Sequence, residues 1–426
     1  MINTEIEVYK NWYEGFVKNV HEFEVSNGSG NSTKVQRYSL GLAKKICEEY
    51  ADMLLNEKVE INCNEKEKLD KILKRNNFFE MANKGIEISF ALGIGAFVIG
   101  YDDISNPNED TVRIEFVQAE NIEILSSSNG VVTDIQFKTK LGENTIVSRH
   151  TKKEDIFIIE NKCLDKDNKE IELPNNIVSN FESEYQLFHL IKPNVVNNKD
   201  LSSPYGISIF ANAIPLLSSI DIVFDSLINE FIVGRKRIFI SAELLKVNEK
   251  TAEPIFDVND TVFYYLEQLN DKEMLKESNL EIRSEEHIST IKSLLSLIGD
   301  KVGLGSDFFK YENQGVSTAT EIISNNMGLY RSIKKQEIML ESSLVYMFET
   351  ILKIIGYEDV VTINFDDTIF EDTGTIFNRA LLKLNSGIID KAQFYVETEK
   401  MTRNQALKLI HEMGLDVPHE ENIDLE

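Results

Sequence analysis

The sequence contains few of the residues that crosslink a chain or hold metals. It has three cysteines in 426 residues, Cys47, Cys63 and Cys163. An odd number without C-x-x-C spacing predicts neither a set of disulfides nor a zinc site. The first residues lack a basic stretch followed by an apolar one, so no secretory signal is expected. The most apolar run, residues 90–100, is too short to cross a bilayer. We therefore expect a soluble chain made in a reducing cytoplasm, without membrane association.

Positive charge is also scarce. Lys and Arg total 45 against 71 Asp and Glu, which gives a formal net charge of −26. This balance disfavours a protein that grips duplex nucleic acid, because such proteins neutralise phosphates with cationic side chains. It does not disfavour a protein that lets DNA slide past, since a carboxylate-lined wall repels a moving polyanion. An ordinary acidic protein fits the composition equally well.

Catalytic motifs are incomplete throughout the sequence. No G-x-x-x-x-G-K-[ST] phosphate-binding loop is present. Residues 206–210 lack the second glycine of a nucleophile elbow, and Leu415 stands where a zinc protease that begins at His411 would have its second histidine. Four carboxylates close together could hold a divalent cation, although a structural role at a turn is favoured: Asp366, Asp367, Glu371 and Asp372. We predict no catalytic activity, no cofactor and no bound metal.

The first half of the chain has the pattern of an α+β domain. Helical spacing of apolar residues predicts helices over residues 6–20, 40–55 and 65–92. Alternation at 112–116 predicts a strand, and Asn129-Gly130 between two apolar runs predicts a two-stranded hairpin. Further strands are expected at 156–160 and 185–191. The β part should be largely antiparallel.

The second half is mostly helical. An apolar stripe predicts a helix over residues 209–232, with Pro215 either in its first turn or at a kink. A second stripe predicts a helix over 284–302 with Ser284 as N-cap and Gly303 at its end. A β-containing insertion separates the two. A very long helix is expected from 318 to 355, opened by a capping box at Thr318, and two short helices, 375–385 and 402–413, should follow.

Several stretches, in this order along nearly the whole chain, resemble the portal proteins of siphophages related to Bacillus and Listeria phages. They are Trp12-Tyr13, Arg37 to Lys45, Ala91 to Phe97, Ser203 to Ile214, Thr318 to Ile322 and Phe365 to Phe370. Each is weak alone, and their joint occurrence in the right order carries the resemblance.

The resemblance implies an α+β portal fold that assembles into a ring, commonly of twelve subunits, around a central channel. It implies eight regions: wing 1–205, first stem helix 206–234, clip 235–283, second stem helix 284–303, tunnel loop 304–316, long tunnel helix 317–356, wing strand 357–373 and short crown 374–426. Such a protein would be located in the virion at the capsid vertex, after assembly in the host cytoplasm. It would nucleate capsid assembly at that vertex and serve as the channel for genome packaging and ejection.

The implied partners are double-stranded DNA passing through the channel without sequence-specific binding, the terminase large subunit, head-completion or adaptor proteins, and the major capsid and scaffolding proteins. Two other functions remain open from the sequence. One is a metal-dependent nuclease that uses Asp366, Asp367 and Asp372. The other is a helical scaffold or adaptor protein of the host.

Three sets of residues are candidate functional sites. On one face of the first stem helix lie Ser218, Asp221, Asp225 and Asn229. Repeated around a ring, this face would form acidic rings lining the channel; a merely solvated face is the alternative.

In the tunnel loop, Lys310 would touch passing phosphates or be an ordinary solvated lysine. Phe308 would lie beside the DNA path, packed against neighbouring loops rather than against bases. At the start of the clip, Arg235, Lys236 and Arg237 would dock acidic partner surfaces or form salt bridges between subunits.

Overall fold

The structure is a computed structural model. It describes residues 2–26, 32–55, 59–102, 106–128, 130–174, 177–234, 237–241, 263–266, 275–278, 281–309, 319–365, 373–399, 401 and 403–413.

Helices make up most of the two ends of the chain. They are α1 (Ile2–Tyr13), α2 (Lys18–His21), α3 (Leu42–Leu54), α4 (Lys66–Arg75), α5 (Phe78–Leu92), α6 (Ile214–Val233), α7 (Ser284–Val302), α8 (Ala319–Ile354), α9 (Thr373–Asn385), α10 (Lys391–Glu399) and α11 (Arg403–Glu412).

Strands fill the middle of the first half and the insertion between α6 and α7. They are β1 (Glu22–Ser26), β2 (Ser32–Gln36), β3 (Glu60–Asn62), β4 (Gly95–Tyr101), β5 (Val112–Gln118), β6 (Ile122–Ser128), β7 (Val131–Leu141), β8 (Asn144–Lys153), β9 (Ile156–Leu164), β10 (Glu170–Ile171), β11 (Asn180–Ser183), β12 (Phe188–Ile191), β13 (Arg237–Ser241), β14 (Phe263–Leu266), β15 (Leu275–Ser278) and β16 (Thr362–Asn364).

The sheets of the first half are antiparallel, as predicted, and two of them contain most of its strands. One runs in the order β10-β9-β8-β7-β6, with β11 also paired to β9, and the other in the order β12-β4-β5. The hairpin predicted at Asn129-Gly130 is confirmed, because Ser128 at the end of β6 lies opposite Val131 at the start of β7. A small antiparallel pair, β16 with β3, ties the segment after α8 back to this half.

The helix predicted over residues 65–92 is two helices. α4 ends at Arg75, and Asn77 takes a left-handed backbone conformation (φ +48°) before α5 begins. The Asn76 amide links the break to strand β5, because its Oδ1 accepts the Ile114 N–H at 3.0 Å. This long-range contact is invisible to helical periodicity, which runs unbroken through both segments.

Three further helix expectations need correction. The helix predicted over residues 6–20 is interrupted, because α1 ends at Tyr13 and the short α2 begins only at Lys18. Ser284 is the first residue of α7 rather than its N-cap, which is Arg283, and no side chain caps the helix there. The C-terminal part also contains a third helix, α10, between the two that the pattern predicted. By contrast, Pro215 lies in the first turn of α6, and Gly303 (φ +88°) ends α7, both as predicted.

One hydrophobic core joins the two halves of the chain. Tyr50 of α3 is fully buried, and its hydroxyl donates to the Val302 carbonyl at 2.7 Å and lies 2.9 Å from the Ser332 hydroxyl. It therefore connects α3 to the end of α7 and to α8. Nearby, Phe348 of α8 packs edge-on against Phe78 of α5, with ring centroids 5.4 Å apart. The long helix is thus held against the N-terminal helices.

Two buried histidines make the stability of this core dependent on pH. Burial lowers the pKa of His150 from 6.5 to about 4 and that of His189 to about 3. The unfolded chain therefore binds more protons than the folded one below pH 6.5. Stability is fully present above that pH and declines as the pH falls towards these values, by about 1.4 kcal/mol per histidine and pH unit. Denaturant unfolding between pH 7 and pH 5 should show this decline, and it should be shallower in His150→Gln and His189→Gln; equal slopes in all three proteins would contradict it.

Candidate functional site

The helix pair α6 and α7 is the centre of the candidate site. The two helices pack against each other, and the C-terminal end of α6 meets the N-terminal end of α7. Between them the chain forms the insertion, whose described strands make one small sheet in the order β14-β13-β15. β13 is parallel to β14 and antiparallel to β15. The predicted arrangement of two amphipathic helices joined by a β unit is thereby confirmed.

Asp221 of α6 is buried inside its own subunit, with 3% of its surface exposed. Its carboxylate accepts hydrogen bonds at 2.9 Å from the Ser39 hydroxyl and from the Leu40 N–H. His21 Nε2 lies at 2.9 Å from the same carboxylate. Because His21 Nδ1 accepts the Val17 N–H at 2.7 Å, the ring proton is on Nε2 and points to Asp221.

Asp225, one turn further along α6, is also buried, with 6% exposed. It accepts the Tyr38 N–H at 3.3 Å and the Asn229 side-chain amide at 3.1 Å. The Arg37 guanidinium approaches it to 3.9 Å. Together, the two aspartates bind the segment that links the N-terminal helices to α3.

The prediction that Asp221 and Asp225 face a channel is therefore wrong. Residues 37–40 and His21 cover both carboxylates and supply the hydrogen bonds that make their burial tolerable. A single-helix pattern cannot distinguish a polar face turned to solvent from one turned to a distant polar segment. Ser218 is half-buried and Asn229 is exposed. For these two residues the channel-facing role stays a prediction.

The exposed residues of α6 carry no charge. They are Pro215, Ser219, Ile222, Asn229, Phe231, Ile232 and Val233. The last three form an apolar end, with Phe231 53% exposed. A helix on the surface of a soluble protein ordinarily carries charged residues on its open face. An uncharged face with an apolar end is typical of a surface that another molecule approaches closely.

Four hydroxyl side chains on the two helices donate to the backbone of their own helix. Each donates to the carbonyl four residues earlier, at 2.8–2.9 Å: Ser219 to Pro215, Ser226 to Ile222, Thr290 to Glu286 and Ser293 to Ser289. Their hydrogens are used within the helix, so these groups offer oxygen lone pairs and not donors to an approaching phosphate. The resulting surface is polar but attracts anions weakly.

A contact between Glu230 and Arg283, here called the clamp, joins α6 to α7 at the two ends of the insertion. Glu230 of α6 accepts the Arg283 backbone N–H at 2.8 Å and the Arg283 Nε–H at 2.7 Å, and the guanidinium Nη2 contacts the same carboxylate. His287 Nε2 lies 3.4 Å away. The hydrogen bonds from Arg283 lower the pKa of Glu230. The clamp is thus complete at neutral pH and weakens only as the pH falls through this lowered pKa.

Replacing the Glu230 carboxylate should make the backbone open more often where α6 meets α7, without unfolding the subunit. In Glu230→Gln the Arg283 N–H loses a charged acceptor, so amide exchange at Arg283 and Ser284 should rise, by about tenfold. Hydrogen exchange followed by mass spectrometry measures this directly. Glu286→Gln, on the exposed face of α7, is the matched control and should leave exchange at the junction unchanged. Equal exchange in both variants would show that the clamp does not hold the junction.

The remaining predicted site residues are placed only in part. Phe308 is half-buried against the main core and packs edge-on against the buried Phe309, with centroids 5.1 Å apart. Its position beside the DNA path stays a prediction. Arg237 begins β13. Lys310, Arg235 and Lys236 lie outside the described residues. So do the four carboxylates between residues 366 and 372, and within the described part of the chain no cluster of His, Cys, Asp and Glu could hold a metal ion.

The sequence matches a model of the family described as phage portal protein, SPP1 Gp6-like, over residues 2–414. The match covers nearly all of the 426 residues. The chain belongs to the SPP1-like phage portal family.

Solved structures similar to this portal-family chain come from gene transfer agent (GTA) particles. A chain from the virion of a native GTA particle aligns with a TM-score of 0.50 at 11% identity and covers 93% of each chain. Chains from the neck of a native particle, computed with C12 symmetry, and of an empty particle, computed with C6 symmetry, give TM-scores of 0.48 at 10% and 11% identity. These two alignments cover 84% of this chain, and 89% and 88% of the respective neck chains. At such low identity the first alignment supports the fold. No curated protein matches the sequence.

Membership in the portal family confirms the resemblance inferred from the sequence, and portal proteins are structural components of particles rather than a class of enzymes. None of the helices in the described ranges is long and apolar enough to span a membrane. Two features of this portal-family chain were missed from sequence: the contact of His21 and residues 38–40 with α6, and the Glu230–Arg283 clamp. Both join residues far apart in the chain. The sequence signal for the first was the placement of two aspartates on one side of a mostly apolar helix, and the second left no signal in the local pattern.

Proposed function

We propose that this chain is the subunit of a portal ring at one vertex of the capsid of a tailed phage or related particle. DNA would enter through the ring during packaging and leave through it during ejection. The observation that carries the proposal is the family match over residues 2–414. The helix pair with its β insertion and the long α8 are elements that a portal subunit is expected to contain.

The regions of a portal subunit can be assigned to the observed elements. The sheets and helices before residue 206, with β16, correspond to the wing. The α6 and α7 pair corresponds to the stem, and the insertion around β13, β14 and β15 to the clip. The turn after Gly303 begins the tunnel loop, α8 is the long tunnel helix, and α9 to α11 form a short crown.

Ring formation is supported by the open face of the stem. Phe231, Ile232 and Val233 leave apolar surface exposed on the isolated subunit, and burial of such surface drives association. A contact between two different faces closes into a ring when its repeated rotation completes a full turn without a shift along the axis. The resemblance to siphophage portals implies twelve subunits, a number that depends on the interface angle.

Passage of DNA requires a channel wall that surrounds the duplex without binding it tightly. The uncharged exposed residues of α6 fit this requirement, and Ser218 and Asn229 stay the proposed channel-facing residues. The net charge of −26 disfavours tight phosphate binding. Lys310 is proposed as a point of weak phosphate contact. The chain itself would perform no catalysis, so ATP hydrolysis during packaging would belong to the terminase large subunit.

Other partners follow from the same proposal. The clip, with Arg235, Lys236 and Arg237, would dock the terminase and later the head-completion or adaptor proteins. The wing would contact the major capsid and scaffolding proteins. Assembly would take place in the cytoplasm of the bacterial host.

Native mass spectrometry of the purified full chain tests the ring. One closed oligomer of defined subunit number is expected, and Phe231→Asp should reduce its abundance because a charge enters the apolar stem surface. Leu201→Asp, at an exposed apolar residue in the loop before α6, is the control and should assemble normally. Monomers or dimers of the unaltered chain would instead favour a host adaptor protein, and metal-dependent DNA cleavage lost on replacing Asp366, Asp367 and Asp372 would favour a nuclease.

A further inference from the structure

A cavity lies between the two main sheets of the first half. It has a volume of about 350 Å³ and is lined by residues of the sheet β12-β4-β5 and of the sheet β10-β9-β8-β7-β6. Its walls are mainly apolar, with Phe137, Ile159, Phe181 and Leu187 among the lining residues. Protein interiors are otherwise close-packed, with few voids larger than a water molecule. A space of this size inside one subunit therefore requires an explanation.

The smaller sheet leaves the cavity open at Gly100. Residues two apart on a strand share a face, and cross-strand pairing places Val98 of β4 opposite Glu115 of β5, and Gly100 opposite Arg113. All four residues line the cavity. A Cβ at Gly100 would meet nothing within 4 Å. The glycine thus contributes no side chain where the space between the sheets is empty.

The larger sheet contributes a buried histidine with an unused nitrogen. His150 of β8 lines the cavity together with Ser148 on the same face of the strand, and only 2% of its surface is exposed. Its Nε2 lies 3.1 Å from the Ser148 hydroxyl, whereas its Nδ1 has no hydrogen-bond partner among the described residues. Buried polar atoms in folded proteins are nearly always hydrogen-bonded. The Nδ1 atom therefore indicates that a partner belongs beside this ring.

The chemistry of His150 defines the group that would satisfy it. Burial lowers the pKa of His150 to about 4, so at pH 7 the ring is neutral, with one N–H and one lone pair. If the Ser148 hydroxyl donates to Nε2, then Nδ1 carries the proton and needs an acceptor. If Nε2 carries the proton, Nδ1 needs a donor. A hydroxyl group can both donate and accept, so it suits either tautomer.

The charges near the cavity favour an uncharged ligand. Asp102 and Glu115, both exposed, contribute two carboxylates to the lining against the one guanidinium of Arg113. Arg113 is already engaged, because it forms an ion pair with Asp102 at 2.9 Å. An anion would be repelled by this rim, and a charge placed among the apolar walls would lose its hydration without a partner. Phosphates and nucleotides are thus excluded as ligands.

We infer that this cavity binds a small uncharged molecule with an apolar body and one hydroxyl group, which forms a hydrogen bond with His150 Nδ1. An apolar cavity of about 150 Å³ binds benzene, so a cavity of about 350 Å³ has room for two fused rings. The bound molecule fills the space between the two sheets and stabilises the wing. The site lies within one subunit, so binding does not depend on the ring proposed above.

Two aromatic probes that differ by one hydroxyl group test the site. 2-Naphthol should bind saturably to the full chain, at one molecule per subunit, and raise the temperature of thermal unfolding. Naphthalene, which has the same body without the hydroxyl, should bind about fivefold more weakly because the hydrogen bond to His150 is lost. Fluorescence titration measures both affinities. Absence of saturable 2-naphthol binding, or equal affinities for the two probes, would overturn the inference.

Variants locate the bound probe. Gly100→Leu places a side chain in the cavity and should abolish binding of both probes. Thr145→Leu adds the same side chain on the opposite face of β8, beside Lys140, and should bind them as the unaltered chain does. His150→Phe should remove the preference for 2-naphthol.

Circular dichroism verifies that each variant is folded. Unchanged binding in Gly100→Leu, or a retained preference for 2-naphthol in folded His150→Phe, would show that the probe lies elsewhere and would contradict the site. The comparison of the two probes on the unaltered chain decides the matter even if a variant does not fold.

Discussion

Asp221→Ala is expected to lower the free energy of unfolding of the subunit by about 3–5 kcal/mol, because three donors lose their acceptor in a buried site. The His21 Nε2–H, the Ser39 hydroxyl and the Leu40 N–H would be left without the carboxylate. Asp221→Asn should lie between Asp221→Ala and the unaltered chain, since an amide retains one acceptor oxygen and introduces a donor among donors. Denaturant unfolding of dilute subunits measures the effect.

The matched control for Asp221 lies on the same helix. Ser218→Ala, three residues earlier on the half-buried face, should change the free energy of unfolding by less than about 0.5 kcal/mol. If Asp221→Ala were as stable as the unaltered chain but its rings retained DNA differently, the carboxylate would belong to the channel after all. A buried structural carboxylate predicts that Asp221→Ala destabilises the subunit. A channel-facing carboxylate predicts that Asp221→Ala leaves the stability unchanged and alters how the ring retains DNA.

Gly206→Ala should destabilise the subunit by about 3 kcal/mol, near the upper end for an overpacked site. A Cβ at Gly206 would lie 2.3 Å from the Gly93 carbonyl oxygen, and a Cβ at Gly93 (φ +88°) would meet the backbone of residues 206 and 207 at 2.8 Å. At this crossing the end of α5 touches the segment that leads into α6. Neither backbone can move without shifting one of the two helices.

Gly100→Ala is the control for this crossing. Gly100 lies in β4, and a Cβ there would meet nothing within 4 Å, so its replacement should be neutral or slightly stabilising. Thermal unfolding of both variants measures the difference. A Gly206→Ala variant as stable as Gly100→Ala would mean that the close approach of the two backbones does not constrain the fold.

Local patterns in the sequence predicted most elements correctly. The hairpin at Asn129-Gly130, the first turn of α6 at Pro215 and the end of α7 at Gly303 depend on residues whose backbone preferences act within a few positions. The motif from Ser203 to Ile214 led to the portal family because its order with the other stretches was specific. Family and fold class could therefore be inferred from the amino-acid sequence alone.

The partners of individual side chains could not be inferred in this way. The stripe of Asp221 and Asp225 was recognised correctly as a polar face, but its direction is set by His21 and residues 38–40, about 180–200 residues away in sequence. The break at Asn77 depends likewise on the contact of Asn76 with β5. Helical periodicity reports which residues share a face and carries no information about what that face meets.

Electron microscopy of the purified full chain tests the central claim most directly. End-on class averages should show a closed annulus of identical subunits around a hole wide enough for a DNA duplex, with the helix pair lining its narrow part. Solid particles, or monomers and dimers at concentrations where the chain is folded, would contradict the assignment of this protein as a portal ring.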